Sequence, residues 1–166
     1  MRISALVSRK KKLWIYGRQR KQRLERALAE RGKIKRQRNI ELAKIQRLKD
    51  LNSGIERWRK GMEGARQEIA AVLKKLDETI PEKDRQHLQR TENALAKFLP
   101  WFETNAGSNP GARLKMIQFA DTQLSKTNAK ATDIRRLKDA ITKYYQSSEA
   151  ATTLELTRHF AKTEKH

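Results

Sequence analysis

The sequence predicts an all-α protein in which a long basic N-terminal helix continues into a helical hairpin, followed by a small bundle of short helices. Three observations favour this class: apolar residues recur in steps of three and four, positive charge is concentrated near the N-terminus, and no segment has the alternation of a β-strand. We therefore expect a largely helical basic N-terminal arm at residues 1–49, a hairpin at residues 50–100, and a small C-terminal helical domain at residues 101–166.

The basic arm, residues 1–49, carries most of the charge imbalance. It contains 18 Lys+Arg and three acids, whereas residues 50–166 contain 21 Lys+Arg and 16 acids. Residues 19–31 are predicted to be helical, and Gly32 to loosen that helix. Because holding like charges together costs self-repulsion that a bound polyanion relieves, the arm indicates a nucleic-acid partner. A solvated helix face and an anionic membrane surface are the alternatives.

The next segment carries a heptad-like seam, which predicts one long helix packed on another helix. Glycines interrupt this seam at Gly54, Gly61 and Gly64, and each lowers helix propensity by about 1 kcal/mol relative to Ala. They mark either a bend or the close approach of a neighbouring helix. The seam residues are Leu48, Leu51, Ile55, Trp58, Met62, Ala65, Ile69, Val72 and Leu76.

Two prolines predict where the hairpin helices end. Pro81 disfavours helical geometry in the residue before it, so the long helix should end near Thr79. A second helix is expected over residues 83–99 and should stop at Pro100. Residues 104–111 (TNAGSNPG) are then the clearest loop. The face that the second helix shares is formed by Leu88, Thr91, Leu95 and Phe98.

The C-terminal domain is expected to contain three short helices, over residues 112–125, 134–147 and 150–162. The second should begin at an N-cap formed by Thr132 or Asp133. The predicted apolar stripes are Leu114, Ile117, Ala120 and Leu124 on the first helix and Ile134, Leu137, Ile141 and Tyr144 on the second.

Residues 98–148 carry a further pattern. An aromatic-Pro segment precedes Arg-Leu-Lys, a Phe and an Asp, and a helix with Leu-Lys-x-Ala-Ile-x-x-Tyr-x-x-Ser follows. The matching residues are Phe98, Pro100, Phe102, Arg113, Leu114, Lys115, Phe119, Asp121, Leu137, Lys138, Ala140, Ile141, Tyr144 and Ser147.

This stretch resembles the FinO/ProQ family of bacterial RNA chaperones. It departs from the family at Ile117, where the family has glycine, and residues 152–166 have no counterpart of the family's Gly/Arg/Asp-rich hairpin. The resemblance implies binding of an RNA duplex or stem-loop, with Arg113, Lys115 and Lys138 on the binding face. It also favours RNA over DNA as the nucleic acid.

The arm supplies most of the candidate nucleic-acid-binding residues. Arginine forks match phosphate geometry, and Trp14 lies beside a run of lysines where it can stack on an unpaired base. The alternative is that Trp14 and its apolar neighbours dock the arm onto protein. The candidates in the arm are Lys10, Lys11, Lys12, Trp14, Arg18, Arg20, Lys21, Arg23, Arg26, Lys33, Lys35, Arg36 and Arg38.

Catalytic chemistry has no recognisable motif in the sequence. The chain lacks cysteine, its three histidines (His87, His159 and His166) have no metal-ligand spacing, and Gly107 and Gly111 fit no phosphate-binding loop. We therefore expect no enzyme activity, no catalytic residue, no metal and no cofactor.

Two other functions remain open at this point. In the first, the protein is a structural component of a large ribonucleoprotein or phage-like assembly, and the arm orders between nucleic-acid segments. In the second, it is a helical-hairpin interaction or secretion-stalk protein, whose seam over residues 48–76 binds a partner helix or forms a homodimer. No apolar run approaches the ~18 residues of a membrane span, so a cytoplasmic location is expected. Because the first acid is Glu25, a mitochondrial location is the weaker alternative.

Overall fold

The computed structural model describes residues 2–106 and 109–163, with side chains from Ser8 onward. Helix α1 spans Arg2–Thr79, a 3-10 helix spans Glu82–Asp84, and α2, α3 and α4 span Arg85–Asn105, Gly111–Leu124 and Ala131–Thr163. The residues described contain no strand, so the all-α prediction is confirmed. Gly107 and His166 lie outside the described residues.

The chain divides into two compact units, Met1–Arg47 and Leu48–His166, called here the N-terminal and C-terminal units. The N-terminal unit consists of α1 alone. The prediction that Gly32 loosens the helix is wrong, because α1 continues through it. One glycine costs about 1 kcal/mol, and the residues around it are mostly strong helix formers.

In the C-terminal unit, α1 and α4 pack against each other in opposite directions. Contact positions rise along α1 as they fall along α4, which defines an antiparallel pair. The contacting pairs are Gly54–Leu154, Gly61–Ser147, Glu68–Arg136 and Lys75–Asp133.

The turn at Pro81 brings α2 back beside α1, so the predicted helical hairpin is present. Helix α1 ends at Thr79, as predicted. Ion pairs join Arg66 to Glu103 and Asp77 to Arg85, the second at 3.4 Å. Along the seam, five of the nine predicted residues are buried within the chain itself: Ile55, Ala65, Ile69, Val72 and Leu76. The seam over residues 65–76 is therefore filled by the chain's own helices.

Helix α2 does not stop at Pro100, and this prediction is wrong. The helix contains Pro100 and continues to Asn105. A proline inside a helix costs about 3 kcal/mol. Continuing the helix buries Phe102, and a fully buried side chain of this size contributes roughly 1.5–3 kcal/mol. Packing of the next turn thus offsets much of the cost of the proline.

Helix α3 faces the core along a stripe that matches the predicted one only in part, since Ala120 and Leu124 are buried as predicted. Leu114 is 58% exposed, and Ile117 is only partly buried. The buried residues are spaced four apart: Ala112, Met116, Ala120 and Leu124. Ala112 and Met116 therefore take the places in the core that the prediction gave to Leu114 and Ile117.

The predicted helices over residues 134–147 and 150–162 are a single helix, α4. The prediction of a break is wrong because Ser147, Ser148 and Ala151 are all buried and continue the packed face across the expected gap. The predicted N-cap is also wrong, since α4 begins at Ala131. Asp133 lies within its first turn and accepts a 2.7 Å hydrogen bond from Lys75 Nζ.

Candidate nucleic-acid interface

The N-terminal unit presents a long, densely basic helical surface. Residues 8–47 contain 16 Lys+Arg and three acids, and at 1.5 Å per residue they extend over about 60 Å. Every described side chain in this range is exposed except that of Lys44, which is partly buried. All the candidate binding residues of the basic arm, Lys10 through Arg38, therefore lie on accessible helix surface.

Trp14 lies at the N-terminal part of this surface, where it contacts an arginine. Its side chain is 64% exposed, and the Arg18 guanidinium carbon lies 5.4 Å from the centroid of its ring. The two residues are one helical turn apart, so the contact follows from helix geometry. An exposed indole with one cation beside it is chemically suited to stack on an unpaired base.

The apolar seam of the C-terminal unit does not continue into the N-terminal unit. Alternating steps of three and four, extended back from Leu48, reach ten positions, of which four are apolar and six are charged or amide: Lys44, Glu41, Gln37, Glu30, Arg23 and Arg20. Charged and amide side chains at six of these ten positions interrupt the apolar stripe that a two-stranded coiled coil requires. The basic surface therefore lacks a pattern for packing on a partner helix in this register.

The three candidate binding residues outside the arm belong to the C-terminal unit, and two of them are paired with acids. Arg113 on α3 forms an ion pair with Glu149 at 3.7 Å, and Lys138 on α4 forms one with Asp121 at 3.2 Å. Each pair places opposite charges together and reduces the field available to a phosphate. Lys115 on α3 is exposed.

Lys115 borders an apolar groove between α2 and α3 that the sequence analysis did not identify. The groove has a volume of about 390 Å³ and is lined by Ala94, Phe98, Lys115, Met116 and Phe119. The sequence shows both Phe98 and Phe119 but does not show that they lie close together, because that depends on how α2 and α3 pack.

A part-buried polar cluster joins three helices of the C-terminal unit. The Tyr144 hydroxyl donates to Glu103 and lies 3.3 Å from the Leu99 carbonyl oxygen, and Arg66 contacts both Glu103 and Tyr144. Burial, followed by the hydrogen bond to Glu103, raises the pKa of Tyr144 well above its usual value. Hydrogen bonding to Tyr144 raises the pKa of Arg66. These hydrogen bonds and the ion pair connect α1, α2 and α4.

Within the described residues, no group of three or more His, Cys, Asp or Glu side chains is placed to hold a metal ion. Among the residues that the structure describes, no helix is long and apolar enough to cross a membrane. Comparison with protein-family models, curated proteins and solved structures gives no match to the chain. The resemblance to FinO/ProQ proteins therefore stays a prediction.

Proposed function

We propose that this chain is a non-enzymatic nucleic-acid-binding protein that contacts phosphates through the basic helix of its N-terminal unit, with RNA preferred over DNA. The observation that carries the proposal is the exposure of nearly all described side chains in residues 8–47. Their net charge is equivalent to one positive charge for roughly every 4–5 Å of helix. A duplex carries one negative charge per ~1.7 Å, so the two charge densities are of comparable scale.

Binding of this kind depends on phosphate contacts and has little sequence preference. Phosphate contacts fix position and supply affinity, whereas base edges supply specificity. The preference for RNA comes from the resemblance of residues 98–148 to RNA chaperones, and the arginine-rich composition supports binding to either nucleic acid.

The proposal is tested with two matched full-length variants. An arm variant changes Arg18, Arg20, Arg36 and Arg38 to Gln; a control variant changes four exposed basic residues of the C-terminal unit, Lys74, Arg90, Lys97 and Lys126, to Gln. Affinities for one stem-loop, made as RNA and as DNA, are measured by fluorescence anisotropy. We expect the arm variant to lose at least about tenfold in affinity and the control variant to lose much less. Equal losses in both variants would contradict the role of the arm.

A second candidate function is a structural role in a ribonucleoprotein assembly. It is favoured by apolar side chains exposed within the basic helix, including Leu13, Tyr16 and Ile34, which are 62–69% exposed. Leu13 and Ile34 have no ring that stacks on a base, whereas an assembly containing protein can bury them. In this case, affinity for isolated RNA would be weak and the Leu13→Ser/Tyr16→Ser variant would be lost from the assembly.

A further inference from the structure

The positive charge of the N-terminal unit surrounds its helix rather than lying on one side. Successive residues of an α-helix are separated by about 100°. On that spacing, with quarters of the circumference counted from the direction of Arg18, two opposite quarters hold seven and five of the 16 basic side chains in residues 8–47, and the other two quarters hold two each. The run Lys10, Lys11 and Lys12 alone covers about 200° of the circumference. The three acids fall in the two quarters that lie between the two densely basic ones, so neither densely basic side contains an acid.

A single nucleic-acid backbone cannot use such a distribution efficiently. A helix with its side chains is about 10–12 Å across, so charges on the far side lie about that much further from a bound phosphate. The Debye length at physiological ionic strength is about 8 Å. Far-side charges are therefore largely screened from that backbone, yet they still repel one another.

We propose that the basic helix contacts two separate nucleic-acid segments at once, one on each side, and so bridges them. This inference rests on the proposed nucleic-acid binding and goes further, because it specifies how many backbones the helix contacts. A second phosphate backbone relieves the repulsion among the far-side charges, which the first backbone leaves in place.

Two pairs of arginines provide a direct test of this geometry. Arg18 and Arg36 are five helical turns apart and share one side of the helix; Arg20 and Arg38 have the same separation and lie on the other side. The two sides differ by about 160° around the axis, and each pair spans about 27 Å along it. The pairs are thus matched in residue type, spacing and axial position, and they differ mainly in the side of the helix on which they lie.

The experiment measures energy transfer between two RNA duplexes of unrelated sequence, one with a donor dye and one with an acceptor, mixed with full-length protein. The R18E/R36E and R20E/R38E variants each reverse two charges while keeping strong helix formers. A control, R90E/K97E, reverses two exposed charges of α2. Because Arg18 also contacts Trp14, a W14A variant measures the effect of losing that contact alone.

We expect the wild type to bring the two duplexes together and each arginine-pair variant to reduce this transfer by about tenfold or more, with the control close to wild type. Both arginine-pair variants should weaken binding to a single duplex by similar factors. Binding of one duplex without transfer overturns the bridging inference and leaves the proposed function intact. The bridging inference is also overturned, with the proposed function intact, if reversing one arginine pair abolishes binding and reversing the opposite pair has no effect. If the wild type binds no duplex, the proposed function itself is wrong.

Discussion

Two adjacent tyrosines at the centre of the C-terminal unit differ in the hydrogen bonds of their hydroxyl groups. Both residues are fully buried. The Tyr144 hydroxyl contacts Glu103 and the Leu99 carbonyl oxygen, whereas the Tyr145 hydroxyl has no hydrogen-bond partner among the described residues. The Tyr145 ring packs edge-on against Phe102, with 4.1 Å between centroids. Its ring therefore contributes to the core, and its hydroxyl carries a desolvation cost.

Replacing each tyrosine by phenylalanine should separate these contributions. Tyr144→Phe removes the hydroxyl that bonds to Glu103, and we expect it to lower the free energy of unfolding by about 1–3 kcal/mol. Tyr145→Phe removes only an unpaired hydroxyl and should be neutral or stabilising by up to about 1 kcal/mol. Chemical denaturation followed by circular dichroism measures both. A larger loss for Tyr145→Phe than for Tyr144→Phe would contradict the hydrogen bonding described.

The same tyrosines predict a loss of stability at alkaline pH. Burial raises the pKa of Tyr145 from 10.0 to about 12. A group whose pKa is raised by folding keeps its full stabilising contribution below the unfolded pKa and loses it as pH rises through the folded pKa. The contribution is thus present below pH 10 and declines between pH 10 and 12. Between pH 9 and pH 11, the free energy of unfolding measured by denaturation should decrease less for Tyr145→Phe than for wild type. Equal decreases would contradict the assignment of this pH dependence to Tyr145.

At the scale of elements, the close approach of α1 and α4 depends on particular glycines. A Cβ added at Gly61 would lie 2.9 Å from the Ser147 hydroxyl oxygen, whereas one added at Gly64 would meet nothing within 4 Å. Gly61 therefore accommodates a neighbouring helix, which is one of the two roles predicted for the seam glycines. Gly64 has no such packing role.

These two glycines should respond to alanine in opposite directions. Gly64→Ala should stabilise the protein by about 0.5–1 kcal/mol through helix propensity. Gly61→Ala gains the same propensity but forces Ser147 to move, so we expect a net loss of about 1 kcal/mol or more. Adding Ser147→Ala to Gly61→Ala leaves a Cβ contact of 3.6 Å and should recover part of that loss. Thermal unfolding measures all three; stabilisation by Gly61→Ala alone would rule out the close contact.

Pro100 gives a second prediction at this scale. Within α2 it supplies no N–H to the helix, and its side chain is exposed. Pro100→Ala should restore one backbone hydrogen bond and raise the free energy of unfolding by about 1–2 kcal/mol, after allowance for the greater freedom of the unfolded chain. Denaturation of the variant tests this. A loss of stability would contradict the cost assigned here to a proline inside α2.

The sequence predicted the elements whose signals are local. The long helix that carries the seam and the turn at Pro81 follow from helical spacing and proline geometry; both are present, and five of the nine seam residues are buried. Part of the α3 stripe and the continuity of α4 were mispredicted. In both cases the buried residues are determined by packing against neighbouring helices rather than by local sequence. Local propensity at Ser147 and Ser148 gave no indication that both pack inside the core.

The candidate interface was predictable to a different extent in the two units. Charge and exposure along residues 8–47 follow from composition, since a helix with basic residues on all sides has no face to bury. The ion pairs of Arg113 and Lys138, in contrast, depend on the packing of α3 against α4. The apolar groove beside Lys115 depends on the packing of α2 and α3, for the same reason.

At the scale of the whole molecule, positive charge is divided unevenly between the two units. The basic arm carries 18 Lys+Arg against three acids, and the remaining 117 residues carry 21 against 16. Several acids of the C-terminal unit form ion pairs with its basic residues, as Glu68 does with Arg136 and Glu155 with Arg59. We therefore expect a polyanion to bind mainly to the N-terminal unit.

The salt dependence of RNA binding tests this central claim most directly. The logarithm of the binding constant falls linearly with the logarithm of salt concentration, with a slope of roughly −0.7 to −0.9 per phosphate contact. Replacing Arg18, Arg20, Arg36 and Arg38 with Gln in the full-length protein should reduce the magnitude of that slope by roughly 1.5–2 for each bound RNA segment, because each segment loses its contacts to one arginine pair. Replacing Lys74, Arg90, Lys97 and Lys126 with Gln should leave the slope nearly unchanged. Equal slopes for wild type and the arm variant would contradict phosphate binding by the basic helix.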